Sequence, residues 1–380
     1  MTRARAVLSW LVVAAVFGAG LLAGTRPTPD RGPAWQRAGE LARPRAHATA
    51  LSLATGDILV FGGLDPADPE IVNASTELFD PATGRVSVLS SDLPGRVNHA
   101  ATIGAGGRVY VTGGTLWSGS DWYATPRLDV YDPYTRQWTQ GGALREPRSD
   151  HGATLLHDGR IFITGGHDGP RFVRSSEIYD PGTRRWSAAA PLPRPRSQFT
   201  IATLPDGRVL VAGGIEDRGL PSDTALFYDP ARNAWSEAPA LSVARVLHAA
   251  VQLPDGDVLM IGGQLGASGS TERFDAAAGR WIAAGTLVEP RFIADAVVAL
   301  DGRVVLAGGL AETGQPRDGF RPIIDAEVWD PATGSWSALP PTPDGRALAA
   351  LVATPYGVLE VSGSGDEERA ASTVERLTFR

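Results

Sequence analysis

Cysteine and lysine are both absent from this 380-residue chain, and no block of basic residues occurs in it. Without cysteine the chain cannot form a disulfide, a thiolate metal site or a cysteine nucleophile. All 35 basic side chains are Arg, the formal net charge is −7, and the basic residues are not clustered as a phosphate-tracking surface requires. We therefore expect no nucleic-acid partner.

Charged residues are also missing from Val7 to Gly24, an apolar stretch that follows Arg3 and Arg5. This order is typical of an export signal, and its length is close to the roughly 18 residues that begin to span a bilayer. No small-x-small cleavage site precedes Thr25, which favours an uncleaved signal anchor over a cleaved signal peptide. We expect the remainder to be exported, either membrane-anchored through residues 7–24 and facing outward, or secreted if the signal is cleaved. The predicted segments are 1–24 (one hydrophobic helix, signal anchor or signal peptide), 25–33 (Pro-rich tether) and 34–380 (folded domain).

What the chain does contain is a repeat with fixed spacing. Seven times, an Arg is followed seventeen positions later by a Gly that closes a short hydrophobic run. The pairs are Arg45/Gly62, Arg96/Gly113, Arg148/Gly165, Arg196/Gly213, Arg245/Gly262, Arg291/Gly308 and Arg346/Gly363. A fixed internal period of this kind predicts one continuous array of structural repeats rather than several domains.

The fourth copy shows the unit most clearly. It holds two β-rich runs joined by an Asp-Gly turn, a third run ending at Asp229, and a fourth run that opens on Trp235. Four antiparallel strands, a to d, in about 50 residues match one propeller blade. The last copy has no strand d, whereas Trp35 precedes the first Arg with no blade before it. We therefore predict that the N-terminal strand around Trp35 closes the last of seven blades.

Paired glycines end the second run in six copies, and an aromatic-Asp pair and a spaced Trp follow. The doublets are Gly62-Gly63, Gly113-Gly114, Gly165-Gly166, Gly213-Gly214, Gly262-Gly263 and Gly308-Gly309. This pattern resembles kelch repeats, and the resemblance implies an all-β, seven-bladed kelch-type β-propeller over residues 34–380. Three departures are local: Ser364 replaces the second Gly of the last copy, Val86 replaces Trp, and Ala276 replaces Pro.

The connection between strands b and c is the one segment whose length varies. From the Gly of strand b to the Asp of strand c the distance ranges from 13 to 22 residues, while the other spacings stay constant. In a four-stranded meander the b–c and d–a connections emerge at one face, which we call the loop face. Variable loops on a rigid scaffold build binding surfaces, and aromatic and polar side chains there suit a sugar or a peptide. The candidate binding residues are Trp117, Asp121, Trp122, Tyr123, His167, Asp168, Arg171, Arg174, Arg196, Glu216, Arg218, Arg317 and Arg321.

The phased Arg residues have two interpretations. They could form a cationic ring that binds a carboxylate or phosphate, or each could pair internally with an acid near the start of strand c. We favour the internal pair, with the glycine doublet letting the two groups approach. The acids are Glu77, Asp129, Glu177, Glu272, Glu327 and Glu375. The fourth blade has Leu226 instead, so Arg196 is expected to be free for a ligand.

No metal site, cofactor or catalytic set is predicted. His99, His151 and His248 stand three residues after a phased Arg, but they belong to separate blades. His47 is one position out of that phase and is interpreted as incidental, which leaves His167 as the histidine of interest. The loop acids lack the regular spacing of a calcium site and are interpreted as solvated charge.

A kelch resemblance implies a propeller but not one activity. We favour a binding or interaction module for an unknown protein, peptide or glycan. The alternative is a carbohydrate-active enzyme similar to sialic-acid mutarotases, with Glu216/Arg218 or Glu312/Arg317 as its acid–base pair. The copper-radical chemistry of galactose-oxidase-like propellers needs a Cys cross-linked to Tyr, which this chain lacks. Whether the protein is an enzyme stays open.

Overall fold

A computed structural model describes residues 32–90, 92–263, 269–312, 319–343, 346–364 and 372–379. The predicted signal segment lies outside these residues, as does Arg317. Within the described ranges there are seven four-stranded antiparallel sheets. The predicted seven-bladed propeller is therefore confirmed.

Each blade runs a, b, c, d in space as in sequence, except the last. The strands of blades 1 to 3 are Thr49–Ser52, Ile58–Phe61, Thr76–Phe79 and Val86–Leu89; Ala100–Ile103, Val109–Thr112, Arg127–Asp132 and Gln137–Ala143; Gly152–Leu155, Ile161–Thr164, Ser176–Asp180 and Arg185–Ala189. Those of blades 4 to 6 are Thr200–Thr203, Val209–Ala212, Ala225–Asp229 and Ala234–Ala238; Ala249–Gln252, Val258–Ile261, Ser270–Asp275 and Arg280–Thr286; Asp295–Val298, Val304–Ala307, Glu327–Asp330 and Ser335–Ala338. A short 3-10 turn, Ala105–Gly107, joins strands a and b of blade 2.

The ring closes through the N-terminal strand. Blade 7 is made of Ala350–Thr354, Gly357–Val361, Thr373–Thr378 and Ala34–Glu40. Trp35 lies opposite Leu377 in this antiparallel pair, as predicted from the missing strand d. Joining the two ends of the chain in one sheet removes an open edge that would otherwise be available for aggregation.

The hydrophobic core is divided among the seven contacts between neighbouring blades. Each cluster joins residues from two adjacent blades, such as Leu59 and Phe61 of blade 1 with Val109 and Val111 of blade 2. Strand b is covered by neighbouring blades on both of its faces, so its sequence is a continuous apolar run. In Val258–Ile261, for example, all four residues are buried. Strands a of neighbouring blades contact one another around the axis.

The variable b–c connections contain small sheets of their own. Three form hairpins, and in blade 4 the connection pairs with the segment that begins at the phased Arg. The pairs are Leu64–Asp65 with Asp68–Val72, Thr115–Trp117 with Trp122–Ala124, Leu310–Glu312 with Phe320–Pro322, and Arg196–Ser197 with Ile215–Glu216. Isolated bridges tie the d–a connection to the b–c connection of the same blade, for example Val97 to Thr115, so both emerge at one face.

Candidate functional site

The seventeen-residue spacing corresponds to a hydrogen bond inside each of six blades. Nη1 of the phased Arg donates to the carbonyl oxygen of the first Gly of the doublet, as Arg245 does to Gly262 at 2.9 Å. In blades 1 to 3 and 5 to 7 the phased Arg also forms an ion pair with the strand-c acid, as Arg245 Nη2 does with Glu272 at 2.6 Å. The predicted internal Arg–acid pair is therefore confirmed, and its buried Arg residues are not available as a cationic ring. The pairs are Arg45–Glu77, Arg96–Asp129, Arg148–Glu177, Arg245–Glu272, Arg291–Glu327 and Arg346–Glu375.

The strand-c acid has a second function in four blades. Its carboxylate also accepts the backbone N–H three residues before the phased Arg, so it holds the d–a connection in place. Glu272 accepts the Ser242 N–H at 2.8 Å, and Glu177 accepts the Arg145 N–H at 3.1 Å. Glu77 and Glu327 accept the equivalent N–H of Ala42 and Val288.

The expectation that Arg196 is free is wrong. Its Nη2 donates to Oε1 of Glu216 at 3.1 Å and to Thr224 at 2.7 Å, and the side chain is 1% exposed. The strand-c position of blade 4 holds Leu226. The b–c loop supplies the carboxylate instead.

Glu216 is correspondingly unavailable as a general acid. Its carboxylate accepts hydrogen bonds from Ser222, Thr224 and Arg196. The partner of Glu216 is therefore Arg196 and not the predicted Arg218. Burial raises the pKa of Glu216, but the hydrogen bonds and the Arg196 guanidinium outweigh it and hold that pKa below its ordinary value. A general acid at neutral pH needs the opposite shift.

The glycine doublet makes room for the neighbouring blade rather than for the Arg–acid pair. The second Gly donates its N–H to the carbonyl oxygen of the next blade's phased Arg in all seven blades, at 2.8–3.1 Å. The first Gly lies under that same carbonyl: a Cβ on Gly113 would stand 2.3 Å from the Arg148 oxygen. The fixed spacing therefore builds the contacts between blades.

The last copy is one residue shorter than the sequence pattern indicates. Arg346 donates to the carbonyl of Ser362, and Gly363 donates to the Arg45 carbonyl. Ser362 thus replaces the first Gly, with a φ of 59°, and Gly363 is the second. The assignment of Ser364 as the replaced second Gly is wrong, because Ser364 bridges Ala347 as Leu64 bridges Ala46.

A ring of residues two positions after each phased Arg was missed at the sequence level. All seven have φ between 50° and 60°, a left-handed conformation that non-glycine residues seldom adopt. Backbone N–H groups of this ring donate to the preceding blade's ring carbonyl, for example Asp150 to Asn98 at 3.0 Å and Ile293 to Leu247 at 2.9 Å. We call these residues the axial ring: His47, Asn98, Asp150, Gln198, Leu247, Ile293 and Leu348. His47 is therefore not incidental; it belongs to a set that is polar in blades 1 to 4 and apolar in blades 5 to 7.

His167 is bonded to the axial ring. Its Nε2 lies 2.8 Å from Oδ2 of Asp150, its Nδ1 accepts the Gly169 N–H at 3.3 Å, and Ser149 lies beside the ring. Burial raises the pKa of Asp150 while the bond to His167 acts in the other direction. Ser149, His167 and Asp150 do not form a nucleophilic triad, because Asp150 and Gly169 already bond the two imidazole nitrogens that such a triad needs.

His99, His151 and His248 contact the blade before their own. Their Nε2 atoms lie 2.7–2.8 Å from the hydroxyls of Thr49, Thr112 and Thr200. Burial, reinforced by the phased Arg, lowers the pKa of His99 and His151 well below the ordinary value and that of His248 to about 3. These residues therefore stay neutral and bridge blades.

The aromatic loop of blade 2 is a hairpin that packs on blade 1. Trp117 and Trp122 lie opposite each other in its two strands, with ring centroids 5.1 Å apart. Trp122 packs with Leu64 and Val97, whereas Tyr123 is 48% exposed. Asp121, next to them, is exposed at the hairpin tip.

The remaining candidate binding residues lie apart on the loop face. Asp168 accepts the Arg171 N–H within its turn, and Arg174 donates to the Leu192 carbonyl. Arg218 is exposed in blade 4, and Arg321 pairs with Glu289 in blade 6. Among the described residues, none of these candidates lines the small cavity beside Arg96 and Trp138.

Large exposed apolar side chains favour the loop face. Ten such side chains occur among the described residues, and six of them lie in b–c or d–a connections. The six are Ile71, Tyr123, Leu220, Val288, Phe320 and Ile324. The buried cavity between blades 1 and 2, beside Arg96 and Trp138, has room for about one water molecule and is too small for a substrate.

Asp295 is an enclosed carboxyl at the contact between blades 6 and 7. Its Oδ1 accepts the Ala296 N–H at 2.9 Å and its Oδ2 accepts the Leu351 N–H of blade 7 at 2.7 Å. Enclosure raises the pKa of Asp295 from 3.8 to about 6, although both hydrogen bonds act in the other direction. The carboxylate thus links two neighbouring strands a at the axis.

This shift predicts a pH-dependent stability. A raised folded-state pKa stabilises the fold below about pH 4, and the stabilisation is lost as pH rises through about 6. Asp295→Asn removes the titration, so the unfolding free energy of the variant minus that of the wild type should rise by up to about 3 kcal/mol from pH 4 to 7. Denaturant unfolding at each pH measures it. Asp229→Asn is the control: the Arg232 hydrogen bond lowers the pKa of Asp229, so this carboxyl titrates below the window and the difference for its variant should stay nearly constant from pH 4 to 7. A pH-independent difference for Asp295→Asn would refute the assignment.

Two further properties bear on the site. Among the described residues, no helix has the length and apolarity needed to cross a membrane. Within the same ranges, no three His, Asp or Glu side chains are grouped as a metal site would require.

Comparisons with known proteins agree with this architecture. The family model of the KLHDC2/KLHL20/DRC7 Kelch-repeats domain matches residues 46–263, more than half of the chain. Kelch-like protein terF from Aspergillus terreus (strain NIH 2624 / FGSC A1156) is 28% identical over 140 residues, which span 35% of this chain and 30% of that relative.

A solved structure of a fungal alcohol oxidase of the AA5 family, in complex with copper, covers 92% of this chain and 77% of its own, with a TM-score of 0.74 and 19% identity. At that identity the likeness concerns the fold alone. The residues of this chain do not fit a copper centre that depends on Cys, since the chain has none.

Proposed function

This chain belongs to the kelch-repeat family, and on that premise we propose that it is a binding module whose loop face docks a partner protein or peptide. The observation that carries the proposal is the concentration of exposed apolar side chains on that face. Exposed apolar groups gathered in one region mark interaction surfaces, and aromatic residues are enriched at interface cores.

The composition of the face favours a peptide over a carbohydrate. Ile71, Leu220, Val288 and Ile324 are aliphatic, so they offer no flat ring for a sugar to stack on. Trp117 and Trp122 pack against each other at 46° between ring planes rather than side by side as one platform. Carbohydrate binding is the alternative outcome of the experiment below. For the enzymatic alternative, the Glu216/Arg218 pair gains no support because Glu216 is held by Arg196, and the Glu312/Arg317 pair includes a residue outside the described ranges.

Export is part of the same proposal. Residues 1–24 carry the pattern of a signal anchor or signal peptide, and the chain beyond them would act outside the cytoplasm, anchored through residues 7–24 or secreted. A protease-protection assay on intact cells and their medium tests it: we expect a propeller that is accessible on unpermeabilised cells or present in the medium, and a cell-retained, fully protected propeller would contradict export.

Two tyrosines provide a matched test of the binding face. Tyr123 on the loop face is 48% exposed and Tyr356 on the opposite face is 47% exposed. Using ligands selected from peptide and glycan arrays on the full chain, Tyr123→Ala should weaken binding about tenfold or more, since interface Tyr residues are frequent hot spots. Tyr356→Ala should leave affinity unchanged, and both melting temperatures should stay close to that of the wild type. Equal losses for the two variants would contradict the proposal.

A further inference from the structure

We propose that the loop face over blades 1 and 2 docks a partner segment in which Arg or Lys residues flank an apolar side chain. This inference rests on the proposed function and adds the chemistry of the partner. It concerns an off-axis region, defined here as the acidic patch: the b–c connections 63–75 and 114–126, which contact one another.

The apolar part of the acidic patch is built jointly by the two hairpins. Trp122 of blade 2 and Val72 of blade 1 both pack against the cluster of Leu64 and Val97, and the Trp117 ring contacts that of Trp122. Next to this supported floor, Ile71 and Tyr123 are 46% and 48% exposed. A floor fixed by packing and two protruding side chains give an apolar residue of a partner a surface that is already ordered.

The charged side chains of the two connections have one sign. The two connections contain Asp65, Asp68, Glu70 and Asp121, and no Arg or Lys. Asp65 and Asp68 accept backbone N–H groups of their own turn, and Asp121 accepts from Ser120. Within the described part of the chain, none of the four carboxylates forms an ion pair.

The other long connections do not share this property. Arg171 and Arg174 accompany Asp168 in blade 3, and in blade 4 Glu216 is paired with Arg196. In blade 6 the exposed Arg321 pairs with Glu289. The unpaired negative charge of the loop face is therefore greatest beside the aromatic hairpin.

This arrangement selects among ligands by electrostatics. A basic segment would be drawn to the patch and oriented on it, whereas an acidic segment would be repelled and a neutral sugar would gain nothing from the carboxylates. Such attraction acts mainly on the association rate and weakens as salt screens the charges.

The test uses a displayed library of random twelve-residue peptides selected on the full chain. Enriched peptides should carry Arg or Lys on both sides of an aliphatic or aromatic residue. A synthetic copy should bind the triple variant Asp68→Asn, Glu70→Gln, Asp121→Asn about tenfold more weakly, from three exposed charges that each contribute a modest factor. The control Glu237→Gln, Asp255→Asn, Asp275→Asn removes the same charge outside the b–c and d–a connections and should change affinity less than about twofold.

Three outcomes overturn this inference: enrichment of neutral or acidic peptides, equal losses for both triple variants, or no enrichment beyond that obtained on the Tyr123→Ala chain. The proposed function fails separately. Peptides that lose affinity with Tyr123→Ala but not with the patch variant would retain the binding module and reject the basic partner.

Discussion

Gly113→Ala is expected to lower the unfolding free energy by about 3–5 kcal/mol, a loss large enough to threaten folding. The residue has a φ of 58°, which a side chain adopts only with strain. Its Cβ would also stand 2.3 Å from the carbonyl oxygen of Arg148, which receives the Gly114 N–H from the neighbouring blade. Strain and the loss of a contact between blades therefore add.

Gly279→Ala separates these two causes. Gly279 has a similar φ of 67°, but nothing lies within 4 Å of the position its Cβ would occupy. The unfolding free energy of this control variant should fall by only about 1–2 kcal/mol, which is the cost of placing a side chain in the left-handed conformation. Denaturant unfolding of both variants measures the difference. Equal losses would mean that the glycine doublet is required by its backbone conformation alone and not by the neighbouring blade.

Arg245→Met is the second substitution with a large expected effect, a loss of about 3–5 kcal/mol. Arg245 is fully buried and donates to the carbonyls of Gly262 and Ser270 and to Glu272. Methionine fills part of the volume but leaves Glu272 as a buried charge without its cation and the Gly262 carbonyl without the Arg245 donor. The cost follows from the groups left behind rather than from the net contribution of the ion pair.

A surface pair in the preceding blade is the control for Arg245. Arg232 pairs with Asp229 at 2.6 Å, but its side chain is 82% exposed. Arg232→Met should therefore change the unfolding free energy by less than about 1 kcal/mol. If Arg245→Met were equally mild and instead weakened ligand binding, the phased Arg residues would have to be reassigned from blade construction to recognition.

The repeat predicted the blades and their internal pairs because those features depend on residue type at fixed spacing. Arg at one end of strand a and Glu near the start of strand c recur, so their pairing is visible without coordinates. Trp35 likewise predicted the closing strand, since a strand d without a blade can only complete the last one.

Other features cannot be recognised from the types of residue that recur at fixed spacing. The axial ring includes His47, Asp150 and Leu348, which share a backbone conformation but no side-chain chemistry. Arg196 was misassigned because its carboxylate comes from Glu216 in a variable loop, which has no fixed spacing from the phased Arg. Ser362 was not recognised as the first residue of the last doublet. The last copy is one residue shorter, so its second glycine, Gly363, falls seventeen positions after Arg346, where the first glycine is expected.

The candidate site was only partly predictable for the same reason. Loop length identified the face, but not which loop residues are exposed. Trp122 is part of the supporting floor, whereas Tyr123 beside it protrudes. Exposed aliphatic residues such as Leu220 carry no sequence signature, and only the folded arrangement places them with Tyr123 on one surface.

The most direct test of the account is site-specific photocrosslinking in cells that produce the full chain. A photoreactive phenylalanine analogue would replace Tyr123 or Phe320 on the loop face, and Tyr134 or Tyr356 on the opposite face; all four side chains are exposed. We predict a discrete adduct from positions 123 and 320 and none from positions 134 and 356. Adducts of equal yield from both faces, or adducts from the opposite face alone, would contradict the assignment of the loop face as the binding surface.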